Sequence, residues 1–200
     1  MVATFYWRGS SNVITRVWDH LTDYNSTPIG STYNLVEYVT AGGLSMATYV
    51  ASNAQNFPDG CTCGSSGQIF AVQADLSQSV TDGGVQTSAY TGLNPVFSQA
   101  PGAHRSASGS GSPQTVADPG AISAGAGALV YAVSATNNPV GFDAPPAFTS
   151  VATGSDSQLE ANYGYLVPSA SGSFDPQWNW YFSRSSTWLA TVLTLQSTGP

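Results

Sequence analysis

Apolar and polar positions alternate along this chain in short runs broken by turn residues, which is the pattern of β-strands rather than helices. The clearest run begins after Ser31, where Tyr33, Leu35, Glu37 and Val39 oppose Asn34, Val36 and Tyr38. After Ala41-Gly-Gly the alternation restarts with Leu44, Met46, Thr48 and Val50, so an antiparallel hairpin is expected. Residues 3–18 hold two further β-prone runs around a Gly-Ser turn, and residues 19–30 are dense in turn formers and read as loop. Strands are expected around Gln68–Ala74 and Val85–Tyr90, in Ala128–Ala135, and in the alternating stretch from Leu159 to Val167. Residues 52–67, 98–127 and 136–157 are polar or rich in Ser, Gly, Ala and Pro, and read as connections.

The last long apolar stretch, Trp178 to Gln196, predicts a second hairpin. In its first arm Trp178, Trp180 and Phe182 share one face, while Asn179 and Tyr181 share the other. The second arm is apolar on both faces, with Trp188, Ala190 and Val192 opposite Leu189, Leu193 and Leu195. Such a strand needs cover on both sides, supplied either by the chain itself or by a neighbouring molecule. Nothing of helical period and adequate length survives the density of Gly, Pro and β-branched residues. The pattern therefore predicts an all-β fold: an antiparallel β-sandwich, jelly-roll-like, of about eight to ten strands. Two hundred residues suffice for one such domain, here expected over 1–200 with an N-terminal extension (1–20) and a long internal loop (98–127).

Composition narrows the function classes. Only 8% of residues are charged, lysine is absent, and the formal net charge is −7. There is no basic patch to neutralise phosphates, so neither nucleic acid nor an anionic membrane is an expected partner. No apolar run approaches the roughly 18 residues of a membrane helix. The first residues lack the charged start and apolar middle of a secretory signal, which predicts a chain not exported by a visible signal.

Candidate chemistry is sparse. Cys61 and Cys63 lie in Gly-Cys-Thr-Cys-Gly, and a metal would need two more ligands where the only histidines, His20 and His104, stand apart. The pair reads as a strained local disulfide or two free thiols in a glycine-rich loop. Asp19, Asp23 and Asn25 offer oxygens to a Ca²⁺ ion, although Asx residues in such a segment serve more commonly as turn formers. Glu37 and Glu160 fall at polar strand positions; a glycosidase would need two carboxylates across a cleft, whereas the simpler expectation is two solvated side chains. No nucleophile elbow or phosphate loop occurs, so no catalytic residue and no cofactor are expected. Among the aromatic residues Tyr181, flanked by Asn179, is the best outward candidate for stacking on a sugar ring.

The succession Leu21-Thr-Asp, Ser31-Thr-Tyr-Asn-Leu-Val, Leu44-Ser-Met-Ala-Thr-Tyr-Val-Ala-Ser-Asn, Ala89-Tyr-Thr-Gly-Leu, Ala107-Ser-Gly-Ser-Gly-Ser-Pro, Gly127-Ala-Leu-Val-Tyr-Ala and Ser186-Thr-Trp-Leu-Ala-Thr-Val-Leu-Thr-Leu resembles β-sandwich modules of tailed-phage virion proteins, including minor tail proteins, and of secreted bacterial surface proteins. The opening Ala3-Thr-Phe-Tyr-Trp-Arg-Gly is similar to the Tyr-Trp-x-Gly-Gly start of some phage and surface proteins, with one glycine here in place of two. The resemblance implies a structural or adhesive module and transfers no catalytic residue. The expectation is a non-enzymatic protein built into a virion surface, as capsid decoration or tail, with Trp188, Leu189, Leu193, Leu195, Phe5 and Trp7 as interface candidates. Its partners would be copies of itself or other virion or surface proteins. The alternative is a carbohydrate-binding or adhesion module, or a filament subunit, at the cell surface, with Tyr181 and Asn179 meeting the glycan.

Overall fold

The computed structural model describes residues 1–22, 28–55, 69–112, 116–181 and 184–198. Within them the chain forms β1 (Val2–Arg8), β2 (Ile14–Leu21), β3 (Asn34–Ala41), β4 (Leu44–Val50), β5 (Phe70–Leu76), β6 (Gly83–Ser88), β7 (Pro101–Gly111), β8 (Val116–Ala117), β9 (Ile122–Ala124), β10 (Leu129–Thr136), β11 (Thr149–Ser155), β12 (Glu160–Leu166), β13 (Gly172–Phe174), β14 (Trp178–Asn179) and β15 (Ser186–Leu195). A single 3₁₀ turn at Phe97–Gln99 is the only helical element among the described residues. All the strand pairs are antiparallel. The all-β antiparallel sandwich expected from the alternation is the fold that forms.

Two sheets carry it, a four-stranded one in the order β3-β4-β1-β6 and a five-stranded one in the order β11-β12-β10-β15-β7. The chain completes the first before starting the second, crossing over once between β6 and β7. The β3–β4 hairpin turns at Gly42 and Gly43, whose φ angles of 52° and 76° suit the tight reversal that matches strand twist. Between the sheets, Val2, Leu44 and Met46 meet Tyr131, Leu189 and Leu193 in the central core. The buried Tyr131 hydroxyl is 3.0 Å from Thr4 Oγ1, which lies 3.0 Å from Thr48 Oγ1, so these three hydroxyls satisfy one another within the sandwich.

Each sheet is also covered on its outer face. The ribbon β2–β5 lies over the four-stranded sheet and buries Phe5, Trp7 and Tyr49 with Val17, Val72 and Ala74. Over the five-stranded sheet, Ile122, Val140, Phe142, Trp178 and Trp180 cover Val130, Trp188 and Val192. The doubly apolar strand β15 is thus buried along all ten residues by its own chain.

Several sequence-based expectations are corrected here. Trp178 to Gln196 is not a hairpin: β14 pairs with β8, while β15 runs between β10 and β7. Trp188, Leu189, Leu193, Leu195, Phe5 and Trp7 are all buried inside the chain and are not interface residues. The cover for the outer face of β15 comes from Ile122 and Trp178 in short strands and from Val140, Phe142 and Trp180 outside the strands, segments far apart in sequence that only the fold brings together. The N-terminal stretch is not an extension, since β1 is an interior strand paired with β4 and β6. The supposed loop 98–127 contains β7, the longest described strand, which pairs with β15. Its small residues are required by packing: a Cβ on Gly109 would stand 2.8 Å from the Trp188 ring. The turn-rich segment 136–157 likewise contains β11.

Candidate recognition surface

Among the described residues, the outward face of residues 177–181 is the place where predicted functional residues reach solvent together. Strand alternation turns Trp178 and Trp180 inward, 0% and 5% exposed, and leaves Asn179 and Tyr181 outside, with Tyr181 59% exposed. Side chains two apart on one face of an extended segment stand roughly 7 Å from each other. Gln177, Asn179 and Tyr181 therefore form a row, and with Asp143, Ala144 and Pro146 they line a shallow cleft of about 250 Å³.

Buried polar groups on β12 hold this row in place. Glu160 Oε2 accepts the backbone N–H groups of Val140 and Gly141, both at 2.7 Å. Those two bonds fix the 140–142 segment, whose Gly141 carbonyl accepts the Tyr181 N–H at 2.8 Å and whose Phe142 bridges to Trp180. Asn162 Oδ1 accepts the Trp178 indole N–H at 3.0 Å, and the Asn162 amide donates to Thr153 Oγ1 on β11 at 2.7 Å. Glu160 is 5% exposed and Asn162 1%, so the expectation of a solvated Glu160 is corrected: it is a buried acceptor for main-chain donors. The Tyr181 hydroxyl donates to Asp143 Oδ2, which orients the exposed ring.

Beside the row lies a carboxylate pair that sequence inspection missed. The Gln177 amide donates to Asp118 Oδ2 and to Asp175 Oδ2, both at 3.1 Å. Partial burial, then the Asp118 charge and the hydrogen bond to it, raise the Asp175 carboxyl above the usual range, with Arg105 opposing. The two aspartates lie 57 residues apart, bridged by a glutamine two positions beyond the second, and no periodicity links them; only the Asp-Pro-Gln spacing before Trp178 marked the turn.

The other candidates separate. Asp19 is 1% exposed and its Oδ1 accepts the N–H groups of Gly30 and Ser31 at 3.1 Å, a turn-forming role in which Tyr33 also donates to Oδ2. Its proposed co-ligands Asp23 and Asn25, like Cys61, Cys63 and Phe182, lie outside the described residues. Glu37 faces β7, with Oε1 2.6 Å from His104 Nδ1 and Oε2 accepting from Ser106 Oγ at 2.9 Å. That contact ties the β3 and β7 edges of the two sheets, and Glu37 shares no cleft with Glu160. A groove of about 460 Å³ opens between the β2–β5 ribbon and β6, walled by Phe5, Trp7, Ile14, Leu76 and Val85.

Compared with protein-family models, curated proteins and solved structures, the chain has no match. The functional conclusion rests on its own geometry.

Proposed function

We propose that this protein is a non-enzymatic structural module, a β-sandwich incorporated in copies into a larger assembly such as a virion surface or an extracellular filament. One observation carries the reading: β6 and β11 end their sheets side by side, and neither outer edge is paired among the described residues. Such edges are ordinarily guarded by charge, proline or cover. Neither Gly83–Ser88 nor Thr149–Ser155 contains a charged residue or proline, six of the seven β11 residues are exposed, and Val85 and Val151 are 44% and 43% exposed. Only a bulge between Ser150 and Ala152 interrupts the β11 register, leaving residues 152–155 in regular pairing with β12. An added strand from another copy suits this edge. The double apolarity of β15 gives no support, since the chain covers both of its faces.

An enzyme is the weaker reading. The Asp118 and Asp175 carboxylates both accept from the one Gln177 amide nitrogen, at 3.1 Å each, which holds them beside each other rather than across a cleft that could seat a sugar between them. Light scattering on a sizing column, with electron microscopy of the same fractions, tests the proposal. Oligomers or filaments are expected for the native chain. The double variant Val151→Lys with Ala152→Lys should run as a monomer with an unchanged circular dichroism spectrum. A native chain monomeric at every concentration, or assemblies indifferent to the two lysines, would overturn it.

A further inference from the structure

We infer that the row Gln177, Asn179 and Tyr181, with Asp143, is a binding site for neutral oligosaccharides, separate from the β11 edge. A sugar presents an apolar C–H face and a rim of hydroxyls, and recognising it requires a ring to stack on and fixed hydrogen-bonding groups beside that ring. The exposed Tyr181 supplies the ring, and its hydroxyl is committed to Asp143, so the ring is oriented before any ligand arrives. The Asn179 side chain makes no hydrogen bond to any described residue, leaving a donor and an acceptor free beside it. Both hydrogens of the Gln177 amide are spent on Asp118 and Asp175, which fixes that side chain and leaves its carbonyl oxygen without a donor among the described residues.

The platform is preorganised. The Gly141 carbonyl and the Phe142 bridge hold its backbone, the indoles of Trp178 and Trp180 anchor it from below, and Glu160 fixes the flanking segment. Little ordering is left for the ligand to drive, which favours binding by a small, shallow site. Charge sets the class of sugar. Asp143, Asp118 and Asp175 surround the row, so carboxylated or sulfated sugars are repelled and neutral ones are favoured.

The test is a glycan array presenting neutral, sialylated and sulfated oligosaccharides to the full chain, followed by titration calorimetry with the free form of any neutral glycan that binds. Neutral glycans should bind and anionic ones should not. Tyr181→Ala should weaken binding at least tenfold and Asn179→Ala several-fold. Tyr181→Phe, which keeps the stacking face, should stay within about threefold of the native chain. Both positions are solvent-facing, so folding is not at issue, and the lysine substitutions on β11 should leave binding unchanged. No binding on the array, a preference for anionic glycans, or affinity indifferent to Tyr181→Ala would each overturn the inference.

Discussion

At the scale of single residues, burial decides roles that residue type alone leaves open. Glu160, Asn162 and Asp19 are acidic or amide side chains at polar-looking positions, yet each is at least 95% buried and turned toward main-chain or indole donors. Alternation shows which face of a strand a residue occupies, and it was right that Glu160 and Asn162 lie opposite Ala161 and Tyr163. It cannot show that a second layer covers that face. Asp175 is the converse case, an exposed carboxylate held by a neighbour of like charge, and its pH behaviour follows from its raised titration point. The folded chain binds a proton at Asp175 more tightly than the unfolded chain does. Stability from this group is therefore greatest at low pH and falls as pH rises from the ordinary carboxylate value through the raised one. Asp175→Asn, which removes the repulsion with Asp118, should raise the melting temperature at pH 7 by no more than roughly 2–4 °C. The difference should shrink as melts are repeated down toward pH 4, and a gain that is constant across that range would contradict the assignment.

At the scale of elements, strands rich in β-branched and aromatic residues were legible and those made of small residues were not. The β3–β4 hairpin, β10 and β12 follow from alternation and turn chemistry. β7 was concealed because Gly, Ser and Ala score poorly as strand formers, while at Gly109 the Trp188 ring of β15 leaves no room for a side chain. The site was half legible: Tyr181 and Asn179 emerged from the period, whereas Gln177, Asp143 and the Asp118–Asp175 pair are joined only by the fold. The packing account of β7 makes a direct prediction. Gly109→Val, whose side chain must displace the Trp188 ring, should cost about 1–3 kcal/mol in urea unfolding. Gly125→Ala, where a Cβ meets nothing within 4 Å, should stay within about 0.5 kcal/mol of the native chain. Equal costs at the two positions would mean that β7 is set by something other than the ring above it.

For the molecule as a whole, two sheets share one core, each has its own outer cover, and the covered strands differ sharply from the open ones. All eight residues of β10 and all ten of β15 are buried, with paired neighbours on both sides, whereas β11 is open along its outer edge. Amide hydrogen exchange reports that contrast. Exchange in β10 and β15 requires the sandwich to open, because their hydrogen bonds lie between two apolar layers, while the outer amides of β6 and β11 exchange by local motion or none. Dissociated chain should therefore show its slowest amides in β10 and β15 and its fastest strand amides in β11. The same measurement distinguishes the two surfaces. Assembly through the β11 edge pairs its free amides and should slow them tenfold or more, leaving residues 177–181 unaffected. A bound oligosaccharide should protect residues near Tyr181 and leave β11 fast. If β11 exchanges as slowly as β10 in the isolated chain, its edge is already satisfied and cannot recruit a neighbour. If it stays fast within the assembled particle, copies are joined elsewhere on the molecule.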